Sequence, residues 1–171
     1  MKLAAGDVLK AVYEVLNGNV NANSYEINYA KRVLLDGGTV IATECLPIYF
    51  TQAVDVYTSQ VPSFTGKAYI YIYHLNSSEV GAVDEFMYDV SISVKCAIQT
   101  KLGAISPQDV HAMGNAVSEL LQPNTFSRIA VDGYTVTSQF CTGINYIEGE
   151  IMDSRYESAV VMDWLIRVES I

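Results

Sequence analysis

Residues 88–99 alternate between apolar side chains and polar or small ones at every position. The apolar set is Tyr88, Val90, Ile92, Val94, Cys96 and Ile98. Successive side chains of a β-strand point to opposite faces, so a period of two over this length is typical of a long antiparallel strand with one buried and one solvated face. We therefore predict a strand over 86–100, which constrains the chain to a fold that contains a sheet.

The composition favours either a generous core or a subunit of a larger assembly. At 171 residues the chain is expected to form a single domain, 1–171. Half of the residues are hydrophobic and only 17% are charged, against about 25% in an average soluble domain. The mean hydropathy is +0.20. The many apolar side chains would then lie either in a large core or at contacts with neighbouring subunits.

The acidic balance of charge argues against one class of function. Ten basic and 19 acidic residues give a formal net charge of −9, and the pI is about 4.5. A nucleic-acid-binding protein normally carries a basic surface, so this class is disfavoured. A surface that DNA passes without binding remains compatible with the charge, because like charges repel. The alternative explanation of the acidic charge is that it keeps the protein soluble.

No membrane or secretory segment is evident in the sequence. No apolar run approaches the roughly 20 residues that cross a bilayer, and the first residues lack the apolar stretch of a signal peptide. The three cysteines, Cys45, Cys96 and Cys141, are widely spaced and match no zinc or redox motif. We expect reduced thiols and synthesis in the cytoplasm, with no membrane partner.

Two segments have the apolar spacing of helices. Residues 3–16 carry one apolar stripe, and Lys10 and Glu14 lie four apart on the other side. Residues 107–121 follow Ser106 and begin with Pro107, which is a typical helix start. The two stripes contain Val8, Ala11, Val12, Val15 and Leu16, and Val110, Met113, Val117, Leu120 and Leu121.

The region between the first helix and the central strands is predicted to form an inserted arm. Residues 25–29 and 39–43 alternate like strands, and Asp36-Gly37-Gly38 between them is a strong turn signal. We expect a projecting β-hairpin over 19–53.

Further strands are predicted over 54–57 and 68–75. The second of these would place Tyr69, Tyr71 and Tyr73 on one face. Residues 76–81 contain Asn, Ser and Gly and are predicted to connect it to the strand over 86–100, with which it would pair.

Two strands, over 134–140 and 158–169, are expected to close the chain, with a glycine-containing region over 141–154 between them. The order of elements predicts an α+β fold in which an antiparallel sheet packs against two main helices.

From Val56 onward the chain resembles the tail terminator and tail-completion proteins of tailed bacteriophages. The matching motifs are Val56-Tyr57, Val61-Pro62 and Tyr69-Ile70, followed by the long strand, the helix over 107–121 and the last strand. The first helix also corresponds. The chain departs from the family pattern at Ala68, where many members have proline, and in the 19–53 insertion.

The resemblance implies a structural protein rather than an enzyme. Such proteins form a ring, commonly a hexamer, on the head-proximal end of the tail tube, where they stop its polymerisation. The implied partners are copies of the chain itself, the tail tube protein, and a neck, head-completion or portal-adaptor protein. Genomic DNA would pass through the ring without specific binding. The implied location is the virion, after assembly in the cytoplasm of the bacterial host.

The residues offer no clear catalytic, cofactor or metal site, so none is assigned. His74 and His111 have no cysteine or carboxylate at metal-ligand spacing. Two groups of acids are interpreted as solvated loops or as an acidic ring in the oligomer. They are Asp84, Glu85 and Asp89, and Glu148, Glu150, Asp153 and Glu157.

Alternative functions remain open at this point. A monomeric module could bind a small molecule or carbohydrate on the Tyr69/Tyr71/Tyr73 face, since aromatic faces stack on such ligands. A hydrolase built on the acids of 148–157 is a weaker hypothesis. We expect Cys96 to be buried and unreactive, and Cys141 to be more exposed because its parity is opposite to that of Phe140.

Overall fold

The computed structural model describes residues 4–17, 55–59, 68–81, 86–101, 107–121, 129–152 and 155–171. The predicted hairpin over 19–53 lies outside these ranges, as do Cys45 and the loop over 61–66. The elements are α1 (Ala4–Asn17), β1 (Asp55–Tyr57), β2 (Ala68–Val80), β3 (Met87–Lys101), α2 (Pro107–Leu121), β4 (Tyr134–Met152) and β5 (Arg155–Ser170).

The described strands form one five-stranded sheet in the order β1-β2-β3-β5-β4. The last strand in sequence, β5, therefore lies inside the sheet between β3 and β4, and β4 lies at the edge. All neighbours pair antiparallel except β1, which runs parallel to β2. The predicted α+β class is confirmed, with the refinement that the sheet is mixed.

The two helices pack on one face of the sheet. The long strand alternates as predicted, because Val90, Ile92, Val94, Cys96 and Ile98 are all buried on the helix side. The predicted stripe of α1 is buried against it, together with Val110, Met113, Val117 and Leu121 of α2. Burying one such aliphatic side chain contributes roughly 1.5–3 kcal/mol. This layer is the main source of stability.

The predicted connection over 76–81 is wrong, because β2 continues to Val80. The strand is interrupted by a bulge between Tyr73 and Asn76 and then pairs again with β3, from Asn76 opposite Ser91 to Val80 opposite Met87. His74 in the bulge has a φ of 53°, an unusual conformation for a residue other than glycine. The two strands form one long ribbon.

The region over 141–154 is also mostly strand. β4 runs to Met152 and forms a hairpin with β5, which begins at Arg155. Register shifts occur between Val136 and Ser138, between Cys141 and Gly143, and between Ile147 and Glu150. These bulges explain the wrong prediction, since each one breaks the period-two pattern that marks a strand in the sequence.

Candidate interaction surfaces

The outer strand β4 is the least protected part of the described surface. It pairs with β5 alone among the described strands, and none of them covers its other side. From Tyr134 to Ile147 the strand contains no charged residue. Soluble proteins usually protect an edge strand with charges, proline or bulges, and from Tyr134 to Ile147 β4 has only bulges. No strand of the described ranges occupies this edge.

Three large apolar side chains of β4 are exposed, and they lie on both faces of the sheet. Phe140 (44% exposed) lies opposite Leu165, and Ile147 (41%) lies opposite Ala159, on the face without helices. Ile144 (62%) lies opposite Met162, on the helix face. No single flat surface would cover all three. A partner strand that pairs with β4 would cover all three, because the side chains of a strand extend along both faces of the sheet.

A second free edge lies at the opposite end of the sheet. β1 pairs only with residues 69–71 of β2, so residues 74–80 have β3 as their only neighbour among the described strands. Leu75 is 38% exposed there, and the residues that follow it to Glu79 are exposed as well. We call residues 140–147 the β4 edge and residues 74–80 the β2 edge. The two edges are unlike in sequence.

The sheet face without helices, here called the second face, carries a network of tyrosine and ion pairs. The Tyr69 hydroxyl donates a hydrogen bond to Glu157 Oε1, and Lys95 Nζ lies 3.2 Å from the same oxygen. Tyr69 is buried beside Ala97 and Ala159. Burial, followed by the bond to Glu157, raises the pKa of Tyr69 far above its usual value. Tyr69 thus serves packing and hydrogen bonding within the fold.

The other two tyrosines of the predicted face are only partly buried. The rings of Tyr71 and Tyr73 stack with centroids 5.1 Å apart, and His74 lies 4.7 Å from the Tyr73 ring. Burial, then the charge of Asp163, raises the pKa of Tyr73. The structure confirms that the three tyrosines share one face, but it leaves only Tyr71 and Tyr73 accessible to a ligand.

A groove of about 590 Å³ crosses the second face next to Tyr73. Its floor includes Ser93, whose hydroxyl donates to Asp163 Oδ1 over 2.6 Å. Its far side is formed by Thr142, Asn145 and Ile147 of β4. Polar and apolar atoms contribute about equally to the lining, and the groove is open to solvent.

The two histidines do not share a site. His74 lines the groove on the second face, whereas His111 lies on α2 and stacks on Tyr146 at a centroid distance of 5.2 Å. The sheet separates them. No group of three or more potential metal ligands occurs within the described residues.

In the two predicted groups of acids, the side chains of Asp89 and Glu157 are described, and each is paired with a cation. Asp89 accepts two hydrogen bonds from Arg167, at 2.6 and 2.8 Å, and these bonds lower the pKa of Asp89. Glu157 is held by Lys95 and Tyr69. The side chains of Glu148 and Glu150 lie outside the described part of the chain, as do Asp84, Glu85 and Asp153.

The cysteines differ from the expectation in one respect. Cys96 is fully buried, and burial raises its pKa to about 12, as expected for an unreactive thiol. Cys141 is partly exposed and therefore more exposed than Cys96, as expected, but the strand parity on which that expectation rested is wrong. The bulge between Val136 and Ser138 reverses the parity of the strand, so Cys141 packs on the core cluster while Phe140 is exposed.

The β4 edge was not predicted from the sequence as an exposed surface. The absence of charge from Tyr134 to Ile147 is the signal that indicates it, but only the sheet order shows that β4 lies outermost.

Comparison with known proteins adds no further constraint. No family model matches the chain, and no curated protein matches it. No helix in the described ranges is long and apolar enough to cross a membrane.

Proposed function

We propose that the protein is a structural subunit of a phage virion, forming a ring at the head-proximal end of the tail tube. The ring ends tube polymerisation and joins the tail to the neck, head-completion or portal-adaptor proteins. It is assembled in the cytoplasm of the bacterial host. The observation that carries the proposal is the uncharged β4 edge, with Phe140, Ile144 and Ile147 exposed on both sides of the sheet. Such an edge is suited to permanent contact with another chain.

The presence of two unlike edges supports a ring rather than a symmetric pair. In a cyclic assembly each subunit contacts one neighbour through one patch and the other neighbour through a different patch. The β4 edge and the β2 edge lie at opposite ends of the sheet, where two such patches would be needed. The resemblance noted above favours six subunits, and the order of the described elements from β1 onward is the order on which that resemblance rests.

The charge of the protein fits a conduit for DNA. The net charge is −9, and the cations Lys95 and Arg167 on the second face are paired with Glu157 and Asp89. A surface with few unpaired cations has little affinity for phosphates, since phosphate contacts supply most non-specific binding. DNA would pass without being retained.

The proposal is tested first by the mass of the protein in solution. Native mass spectrometry and light scattering of the purified protein should give a closed oligomer, with six copies expected. The second measurement is the length of tubes assembled from tail tube protein, by electron microscopy, with and without this protein. We expect shorter tubes capped at one end. A strict monomer at tens of micromolar that leaves tube length unchanged contradicts the proposal.

An Ile144→Lys variant provides the matched comparison. Ile144 is the most exposed apolar side chain of β4, so lysine there should leave the fold intact and remove the oligomer. The same variant should lose its effect on tube length. A Phe86→Lys variant controls for the mere addition of charge, because Phe86 (59% exposed) lies just before β3 and outside both edges.

A second candidate function is supported by the groove on the second face. A monomeric module would bind a small molecule or carbohydrate there, with Tyr73, on which Tyr71 stacks, as the aromatic side and Asp163 as a hydrogen-bond acceptor. It predicts a ligand-dependent rise in melting temperature that is lost in Tyr71→Ala. In this case the protein would be monomeric with and without that substitution.

A further inference from the structure

The groove on the second face exists because small side chains lie in the middle of the sheet there. One residue from each of four strands lies in a row across it, namely Tyr73, Ser93, Asp163 and Gly143. Tyr73 supplies the one large ring of this row, since Ser93 is small and Gly143 has no side chain. The volume of about 590 Å³ lies within the range of about 300–1,000 Å³ that is usual for ligand sites. The groove is thus large enough for a small organic ligand.

Asp163 gives the groove a negative charge. Its Oδ1 accepts the hydrogen bond from Ser93, and no described residue donates to its Oδ2. Asp163 has no cation partner within the described residues, whereas Asp89 and Glu157 on the same face each have one. A Cβ atom built at Gly143 would lie 3.7 Å from Oδ2, so glycine leaves this oxygen uncovered on the β4 side. No lysine or arginine is among the described residues that line the groove, and a cationic ligand would therefore be attracted to it.

Aromatic rings lie beside this carboxylate. The Tyr73 ring stacks on Tyr71, and His74 lies 4.7 Å from the Tyr73 ring. A regular strand would place His74 on the opposite face from its neighbour Tyr73. With its φ of 53°, His74 instead lies next to Tyr73 and lines the groove. Residues other than glycine seldom adopt this conformation, and those that do are concentrated at binding and active sites.

We infer that the groove binds a guanidinium group, with Asp163 Oδ2 accepting its N–H donors and the Tyr73 ring as the adjoining aromatic surface. A guanidinium is planar and cationic, so it can donate to a carboxylate and lie against an aromatic ring at the same time. An ammonium has the charge without the flat face. The guanidinium would belong either to a small molecule or to an arginine of a partner protein. Because the groove lies within one copy of the chain, the inference does not depend on the proposed ring.

Three probes of the same length separate charge from shape. They are butylguanidinium, butylammonium and the neutral butylurea. Their binding to the full chain is measured by saturation-transfer NMR and isothermal titration calorimetry, at about 0.15 M salt to screen the general attraction of a protein with a net charge of −9. Butylguanidinium should bind more tightly than butylammonium, and butylurea should give no detectable binding.

Asp163→Asn tests the carboxylate. The amide keeps an oxygen that accepts from Ser93, so the fold should be retained, and the affinity for butylguanidinium should fall roughly tenfold or more. Tyr73→Leu should weaken binding roughly two- to fivefold. Glu169→Gln is the matched control, since it removes the same charge from the same face at the exposed end of β5, and its affinity should equal that of the wild type. Thermal melting verifies the fold of each variant.

Gly143→Val tests the site without changing any charge. The new side chain would occupy the space beside Asp163 Oδ2, so the binding of butylguanidinium should be lost. This variant keeps the inference testable if Asp163→Asn proves too unstable to measure.

An acetylated Gly-Arg-Gly amide distinguishes the two sources of the guanidinium. Tighter binding of this peptide than of butylguanidinium would indicate an arginine of a partner, and equal or weaker binding would indicate a small molecule. Butylurea that binds as tightly as butylguanidinium, or an unchanged affinity in Asp163→Asn, overturns the inference. A response to methyl glucoside and to none of the cations also overturns it, and would support the carbohydrate ligand of the second candidate function.

Discussion

Arg167 and Asp89 lie directly opposite each other on β5 and β3, and their side chains form a two-pronged ion pair on the second face. Arg167 Nε and Nη2 donate to the two carboxylate oxygens over 2.6 and 2.8 Å. Planar guanidinium and carboxylate groups fit each other in this geometry, which lysine does not reproduce. The pair fixes the register of the two central strands at the end that is near Phe86.

The first prediction concerns the acid sensitivity that this pair gives to folding. The pKa of Asp89 is lowered, first by its hydrogen bonds to Arg167. A carboxyl whose folded pKa is depressed stabilises the protein above its ordinary value of 3.8, and this contribution is lost as the pH falls below it. Asp89→Asn should therefore be less stable than the wild type near neutral pH, and the difference should shrink below pH 3.8.

Urea denaturation of both proteins across the acid range measures this difference. Arg167→Lys is the matched control, since it keeps the charge and removes the two-pronged geometry. Its stability near neutral pH should lie between that of the wild type and that of Asp89→Asn. A difference between wild type and Asp89→Asn that stays constant down to the lowest pH would contradict the assignment.

The second prediction concerns the bond between Tyr69 and Glu157. Tyr69→Phe removes the hydroxyl and leaves the ring in place beside Ala97 and Ala159. We expect the free energy of unfolding to fall by about 1.5 kcal/mol, the lower end for a hydrogen bond to a charged acceptor. The loss should be small because Glu157 is partly exposed and keeps its ion pair with Lys95. Chemical denaturation near neutral pH measures the loss.

The same bond has a signature at high pH. The pKa of Tyr69 is raised above 10 by burial and by Glu157, so the neutral phenol stabilises the fold below pH 10 and this contribution is lost as the pH rises through its folded pKa. Tyr69→Phe should accordingly lose less stability than the wild type between neutral pH and strongly alkaline pH. Equal alkaline losses in the two proteins would contradict the role given to the hydroxyl.

The sequence predicts those elements whose faces have a constant environment along their whole length. β3 is flanked by β2 and β5 and covered by the helices on one face, so its alternation from Tyr88 to Ile98 is unbroken. The stripes of α1 and α2 are readable for the same reason, because one side of each helix meets the sheet throughout.

The parts that the sequence does not predict depend on pairing between distant residues. Asn76-Ser77-Ser78 has the composition of a turn, yet it lies in β2 because pairing with residues 89–91 of β3 extends the ribbon. Tertiary pairing thus overrides local preference there. In β4 the bulge between Val136 and Ser138 reverses the face on which each following residue lies. Phe140 therefore lies on the second face and Cys141 on the helix face, the opposite of what alternation from Tyr134 predicts.

The candidate surface was less predictable than the fold. Exposure of Ile144 follows from the position of β4 outside β5, and no local pattern reports the order of strands in a sheet. The tyrosine face was predictable as a face, but the burial of Tyr69 depends on Glu157, 88 positions away in the chain. Contacts at that separation leave no periodic signal.

The third prediction concerns Trp164, the single tryptophan of the chain. Its ring is buried on the helix face of β5, and within the described residues its indole Nε1 has no hydrogen-bond partner. Trp164→Phe removes this unsatisfied donor together with some apolar volume, so the two effects partly cancel and the loss should stay below about 1.5 kcal/mol. Trp164→Ala leaves a large cavity and should cost about 3–5 kcal/mol.

Denaturation midpoints of the two variants compare these costs, and the wild-type fluorescence provides an independent check. A tryptophan in an apolar and water-free site emits at short wavelength, and unfolding should shift the emission to longer wavelength. Similar losses of stability in Trp164→Phe and Trp164→Ala would show that removing the unpartnered donor does not offset the lost apolar volume.

The fourth prediction uses the close approach of α2 to β5 at Gly114. A Cβ atom built at this position lies 3.4 Å from Val160 Cγ1 and 3.7 Å from Val160 Cβ, which is ordinary van der Waals contact. Alanine should therefore fit, and its higher helix propensity should stabilise the protein by up to about 1 kcal/mol. A larger side chain has no room between helix and sheet, so Gly114→Leu should destabilise by about 1–3 kcal/mol.

Thermal and urea denaturation of Gly114→Ala and Gly114→Leu test this contact from both directions. Asn115→Ala, on the exposed side of the same helix, is the matched control for propensity, since its side chain does not meet the sheet. The gain for Gly114→Ala should equal or exceed the gain for Asn115→Ala, because glycine is the poorer helix former. If Gly114→Leu were as stable as Gly114→Ala, the helix would have to lie farther from β5 than the distance to Val160 indicates.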